Sequence, residues 1–149
     1  MKNKWTVICL SIIVIIIISC SSNSAVKSSD TKQEIQGSWE MREQVSSMRT
    51  TYPAGNGNRL QFADGKYQKF EEGALMQSGQ YKIIPDSTAS REVGLELKPG
   101  EFNHALIFDN DTSVPKTFFQ ITGNKLVLLS GFFPSDAGVQ TTYERVDKF

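Results

Sequence analysis

From about residue 35 onward the sequence predicts an all-β domain, a small antiparallel up-and-down β-barrel of eight to ten strands. Three observations predict it. Short runs of alternating apolar and polar residues recur along residues 35–149, divided by turn residues at close spacing. No stretch there sustains the 3.6-residue period of an amphipathic helix. Many short antiparallel strands also leave exposed edges, and closing the sheet on itself removes them. A two-sheet sandwich is the alternative.

The elements follow in order. Trp39 and Met41 alternate with Ser38, Glu40 and Arg42. Leu60 and Phe62 flank Gln61, and Asp64-Gly65 then signals a tight hairpin into Lys66–Phe70. Gln80–Ile84 comes next and is closed by Pro85-Asp86. Val93, Leu95 and Leu97 alternate with Glu92, Gly94 and Glu96, which makes Glu92–Leu97 the cleanest half-buried strand by pattern. Ala105–Phe108 is a short apolar run that stops at Asp109-Asn110-Asp111. Thr117–Thr122 and Lys125–Leu129 flank Gly123-Asn124, and Thr141–Val146 is the last run. Only residues 28–36 hint at a helical turn.

The N-terminus is of another kind. Lys2 and Lys4 precede an apolar run of 12 residues, Val7–Ile18. As a helix it would reach about 18 Å, short of the ~30 Å hydrocarbon core of a bilayer. A basic start followed by so short an apolar run reads as an export signal. Residues 21–33 follow, with five serines and few apolar side chains, and suit a flexible tether. The expected division is a signal at 1–19, a tether at 20–34 and the barrel at 35–149.

Ile17-Ile18-Ser19-Cys20 resembles the lipobox of bacterial lipoproteins. The resemblance implies cleavage before Cys20 and diacylglycerol on its thiol. It also implies anchorage in the cell envelope, at the outer membrane if the cell is Gram-negative. An uncleaved signal anchor with an incidental cysteine is the alternative. Cys9 would be discarded with the signal, so the mature chain would hold no free thiol and no intrachain disulfide.

Gly37-Ser38-Trp39, Ser78-Gly79-Gln80-Tyr81 and Tyr143-Glu144-Arg145-Val146, in that order, resemble the opening, middle and closing strands of lipocalin-like lipoproteins. The resemblance implies that Trp39 packs across the closed end of the barrel with Arg145 over its indole, a structural pairing. Two residues so placed, one on the first strand and one on the last, meet only if those strands are antiparallel neighbours. That requires an even number of strands, so eight or ten rather than the nine runs counted above. The chain is shorter than a full lipocalin and shows no long helix after the barrel.

Charge and motifs exclude more than they assign. The chain has 16 basic and 16 acidic residues; without Lys2 and Lys4 the balance is 14 against 16, a net of −2. No basic patch points to nucleic acid. His104 is the sole histidine, and no nucleophile elbow, zinc-helix or phosphate-loop motif occurs. Asp109-Asn110-Asp111 begins like a calcium loop, but Val114 and Gln120 stand where such a loop needs Gly and Glu. We therefore expect neither enzyme activity nor a cofactor or metal.

What remains is binding. A small apolar ligand in or at the barrel mouth would touch inward-facing side chains, for which Met41, Leu60, Phe62, Tyr81, Val93, Leu95, Phe108 and Phe119 are candidates. The long connection 46–58 would form a lid carrying Met48 and Tyr52. Phe132 and Phe133, in a turn, either pack on the barrel or form a sticky lip. The alternative function is an interaction or inhibitor module of the cell envelope, with a filled barrel and no ligand.

Overall fold

The computed structural model describes residues 31, 32 and 34–146. The expected signal, Cys20 and most of the expected tether lie outside the described residues. Among the described residues nine antiparallel strands form one sheet: β1 Gly37–Val45, β2 Arg49–Thr51, β3 Arg59–Ala63, β4 Lys66–Glu71, β5 Ala74–Pro85, β6 His104–Phe108, β7 Thr117–Thr122, β8 Lys125–Ser130 and β9 Val139–Val146. Each barrel strand pairs with the next, and β9 pairs back onto β1, so eight strands close in a ring. β2 is an extra, folded against the end of β1 as a hairpin.

The closing register pairs Trp39 with Arg145. Eight strands meet the parity that this pairing demands. Asp64-Gly65 and Gly123-Asn124 make the hairpin turns at the end where β1 begins, which we call the floor. The connections 46–58, 72–73, 109–116 and 131–138 gather at the opposite end, the mouth.

Alternation sends one set of side chains inward. Trp39, Leu60, Phe62, Tyr67, Tyr81, Leu106, Phe119, Leu126 and Tyr143 are buried together there, joined by Ile35 from ahead of β1. The opposite face carries a second apolar cluster. Ala105, Phe118 and Leu129 look outward and are covered by Ala89, Val93 and Phe102 from the β5–β6 connection, with Leu95, Leu97 and Phe133 at its margin.

This outer cluster corrects two expectations. Residues 92–97 form no strand; Ala89–Val93 is a short helix and the chain then loops. Pro85 ends β5, and the Asp86 carboxylate accepts from the Thr88 amide at 2.9 Å and the Thr88 hydroxyl, which turns the chain into the helix. Gly94 ends it in the left-handed region (φ 72°), with Phe132 and Pro134 so close that any Cβ would meet them at 2.6 Å. The alternation at 93, 95 and 97 serves to cover the barrel's outer wall. Val93 and Leu95 are therefore not lumen residues.

The 46–58 connection contains a strand of its own. That strand is β2, whose polar sequence Arg-Thr-Thr carries no apolar alternation.

Candidate functional site

The floor is filled. The Trp39 indole N–H donates to the Ile35 carbonyl at 2.7 Å. The Arg145 guanidinium lies 4.1 Å from the indole centroid and donates to the carbonyls of Gln36, at 2.7 Å, and Glu34. Cation, ring and carbonyls close this end of the lumen. Above it Phe62 and Tyr81 meet edge to face at 4.9 Å, and Phe119 is 3% exposed. These three candidates are core. Burial raises the Tyr81 phenol's pKa, with the Asp64 charge adding to it.

The mouth is open. A cavity of about 740 Å³ is lined by Met41, Tyr52, Arg59, Phe70, Met76 and Tyr143 among others. A second, of about 370 Å³, lies beside it against Leu60, Tyr67, Gln77, Phe108, Asp109 and Val114. Lys69 and Tyr143 line both and form the partition. Of the ligand-binding candidates, Met41, Tyr52, Leu60 and Phe108 reach a cavity; Phe62, Tyr81, Val93, Leu95 and Phe119 reach neither.

Three polar arrangements shape the mouth. Lys69 pairs with Glu71 at 2.9 Å inside the rim. The Tyr67 hydroxyl donates to Asp109 Oδ2 at 2.9 Å and accepts from Gln77 Nε2 at 2.6 Å. Burial first, then the Asp109 carboxylate, pushes the Tyr67 phenol up to about 12. Burial likewise raises Tyr143, with Glu71 and Tyr52 adding to it, so this hydroxyl stays neutral at the partition.

On the outer wall, Glu40 is a nearly buried carboxylate, its side chain 7% exposed. It accepts from the amides of Gly55 at 3.0 Å and Gly57 at 3.3 Å and from Arg42 at 2.5 Å, while Arg42 also reaches Glu144 at 3.0 Å. Burial opposes its ionisation, but the Gly55 amide, Arg42 and the Gly57 amide outweigh burial and hold the carboxyl below its ordinary range. Arg42 reaches this position because it is the extra residue of a bulge between Met41 and Glu43. The result is a clamp that pins residues 53–58 beside the mouth.

Sequence reasoning missed Arg59, Lys69, Phe70, Gln77 and Tyr143. They lie on β3, β4, β5 and β9: consecutive strand pairing sets Arg59 beside Phe70 and Lys69 beside Gln77, and closure of β9 onto β1 adds Tyr143. Asp109 was weighed as a calcium ligand, but it binds Tyr67 and the Gln80 amide instead. Among the described residues no group of three His, Cys, Asp or Glu side chains could hold a metal ion. His104 opens β6 with its ring 6.0 Å from that of Phe119. Phe133 packs on the outer cluster, whereas Phe132 is 46% exposed.

No protein-family model matches the chain, and no curated protein or solved structure matches it either. The site must be read from its own geometry.

Proposed function

We propose that this domain binds a small, mostly apolar molecule at the open mouth of the barrel. The observation that carries the reading is the cavity of about 740 Å³ above a filled floor. That volume lies within the ~300–1,000 Å³ range of ligand pockets. Its walls suit an amphipathic guest. Met41, Phe70 and Met76 offer apolar surface, and Tyr52 and Tyr143 offer rings with polar tips. Arg59 supplies the polar anchor: its guanidinium stands 5.2 Å over the Phe70 ring, and its Nε is buried without a hydrogen-bond partner among the described residues. A buried donor of this kind favours an acceptor on the ligand, such as a carboxylate.

The same reading has Cys20 lipidated and the barrel held by residues 20–34 at a membrane surface in the cell envelope. Two acyl chains would make that attachment stable. Incorporation of labelled palmitate, lost in Cys20→Ala, is the expected result.

Ligand binding is tested by titrating residues 20–149 with a fluorescent fatty acid and by native mass spectrometry. We expect saturable binding of one molecule per barrel. Tyr143→Trp, which fills the partition, should weaken it, and Arg59→Met should weaken the fatty acid more than its alcohol analogue. Absence of binding by either method, or equal binding by all three proteins, would refute the reading.

A further inference from the structure

The barrel ring is not equally closed along its height. β5 has 12 residues, and β6, its neighbour, has five. Pairing between them covers only Tyr81–Pro85 against His104–Phe108. Asp109 then ends the ladder. Its amide donates to the Gln80 carbonyl at 2.8 Å, and its carboxylate accepts from the Gln80 amide at 2.8 Å. One residue thus satisfies both backbone groups that Gln80 turns toward β6. Asp109 and Asn110 adopt φ of 52° and 55°, and the chain leaves the sheet.

Above that point Ala74–Gly79 is hydrogen-bonded to β4 alone. Backbone groups alternate in direction along a strand. Gln80 points toward β6, so Ser78 does too, and no backbone partner meets Ser78 on that side among the described residues. The segment is exposed, with Leu75 at 52% and Met76 at 60%. It carries no charge and no proline, the usual devices that blunt a free edge. The 370 Å³ cavity opens beside it, between Gln77 of β5 and Val114 of the 109–116 loop, itself 53% exposed.

We propose that this notch takes an extended peptide of a partner protein. The peptide adds as a strand to the Ala74–Gly79 edge and lowers one large apolar side chain into the adjoining cavity. Backbone hydrogen bonds give such docking its affinity, and a pocket for alternate side chains gives it selectivity. Charge sets the rest of the chemistry. Asp109 and Asp111 line the notch, and the one lysine that lines it, Lys69, is neutralised by Glu71 at 2.9 Å. The fitting segment therefore carries basic residues beside its apolar one. The same acidic rim disfavours an anionic lipid surface, although all the exposed large apolar side chains among the described residues sit toward the mouth. The proposal does not depend on a small ligand in the larger cavity.

The probe is a fluorescein-labelled heptapeptide of alternating valine and threonine about a central leucine, with lysine at both ends. Fluorescence polarisation with residues 20–149 should show saturable binding, and the Ser78 amide should exchange more slowly with peptide present. Ser78→Pro removes an edge donor that the barrel does not use and should weaken binding about tenfold or more. Leu75→Lys, whose own side chain lines neither cavity, should act likewise, which guards against misfolding of the proline variant. The fluorescent fatty acid should bind both variants as it binds the parent, so that this reading and the ligand reading fail separately. Four results would overturn the proposal: no peptide binding, binding unchanged in both folded variants, equal binding of a peptide ending in glutamates, or sedimentation showing that the edge pairs two copies of this chain instead.

Discussion

Replacing Glu40 by Gln tests whether a charge on the outer wall holds the mouth in shape. The carboxylate is almost removed from water and collects three donors: the amides of Gly55 and Gly57 and the Arg42 guanidinium. Hydrogen bonds to a charged group contribute about 1.5–3 kcal/mol each, but bonds sharing one acceptor are not additive. Gln keeps one carbonyl acceptor and turns an N–H toward groups that are themselves donors. The expected loss is about 2–4 kcal/mol. For a domain of 115 residues (35–149) each kcal/mol lowers Tm by about 4 °C, so the midpoint should fall by roughly 8–16 °C.

A pH dependence follows with a definite sign. The Glu40 carboxyl is held below its ordinary value of 4.5 in the folded state. Its contribution is fully present above that value and is lost as pH falls through the lower, folded one. The gap between parent and Glu40→Gln should thus be constant near neutrality and narrow below 4.5. Releasing residues 53–58 should also weaken the fatty acid, because Tyr52 and Asn58 line the larger cavity. Thermal melts across pH are the assay. A destabilisation under about 0.5 kcal/mol, the scale of an ordinary surface substitution, would refute the clamp.

Other perturbations probe the remaining parts. Arg145→Ala removes the indole contact and two carbonyl bonds and should cost about 2–3 kcal/mol in urea unfolding. Trp39 is the sole tryptophan of residues 20–149, and its emission should shift to the red as the floor opens. Tyr67 is held neutral up to about 12, so the stability it contributes is complete below the ordinary 10.0 and is lost as pH rises from there toward 12. Tyr67→Phe should remove that part of the alkaline slope in denaturation curves. Gly79→Ala would place a methyl 1.9 Å from Asp109 Oδ1. It should displace the carboxylate from the Gln80 amide and cost about 1–3 kcal/mol, measured by melting and by faster exchange of that amide.

The ring was legible because its strands alternate and its floor turns carry strong local chemistry. Asp64-Gly65 and Gly123-Asn124 specify hairpins without help from the rest of the chain. The parity argument did more, since pairing Trp39 with Arg145 showed that a count of nine runs held an error. The error was residues 92–97, where apolar alternation serves a covering loop. Period two records which side chains are buried, not what buries them, and an outer wall with its own apolar patch meets the same pattern. β2 was illegible for the converse reason: Arg49, Thr50 and Thr51 are all exposed, and their pairing with β1 is imposed by the hairpin. The site was less legible still. Lys69 and Glu71 are near in sequence and Arg59 joins them through the β3–β4 pairing, but Tyr143 joins them only through ring closure.

The filled core and the open cavities occupy opposite ends of this barrel for a physical reason. Side chains on eight tilted strands can fill the lumen of a ring this size. They do so near the floor, where Trp39, Phe62, Tyr81 and Phe119 supply large rings. Toward the mouth the inward positions become Met41, Lys69, Gln77, Thr141 and Tyr143, which are smaller, longer or polar and leave space between them. The two bulges, at Met41/Glu43 on β1 and at Lys69/Phe70 between β4 and β5, lie in this upper half. Each adds a residue that breaks strict alternation: Arg42 on β1 enters the outer clamp, and Met76 on β5, opposite Lys69 and Phe70, lines the larger cavity. The floor can therefore carry the fold's stability while the rim varies in chemistry. Substitutions at Arg59, Lys69 or Met76 should alter what binds with little loss of stability, whereas any truncation of Trp39 should unfold the chain before it reports on binding.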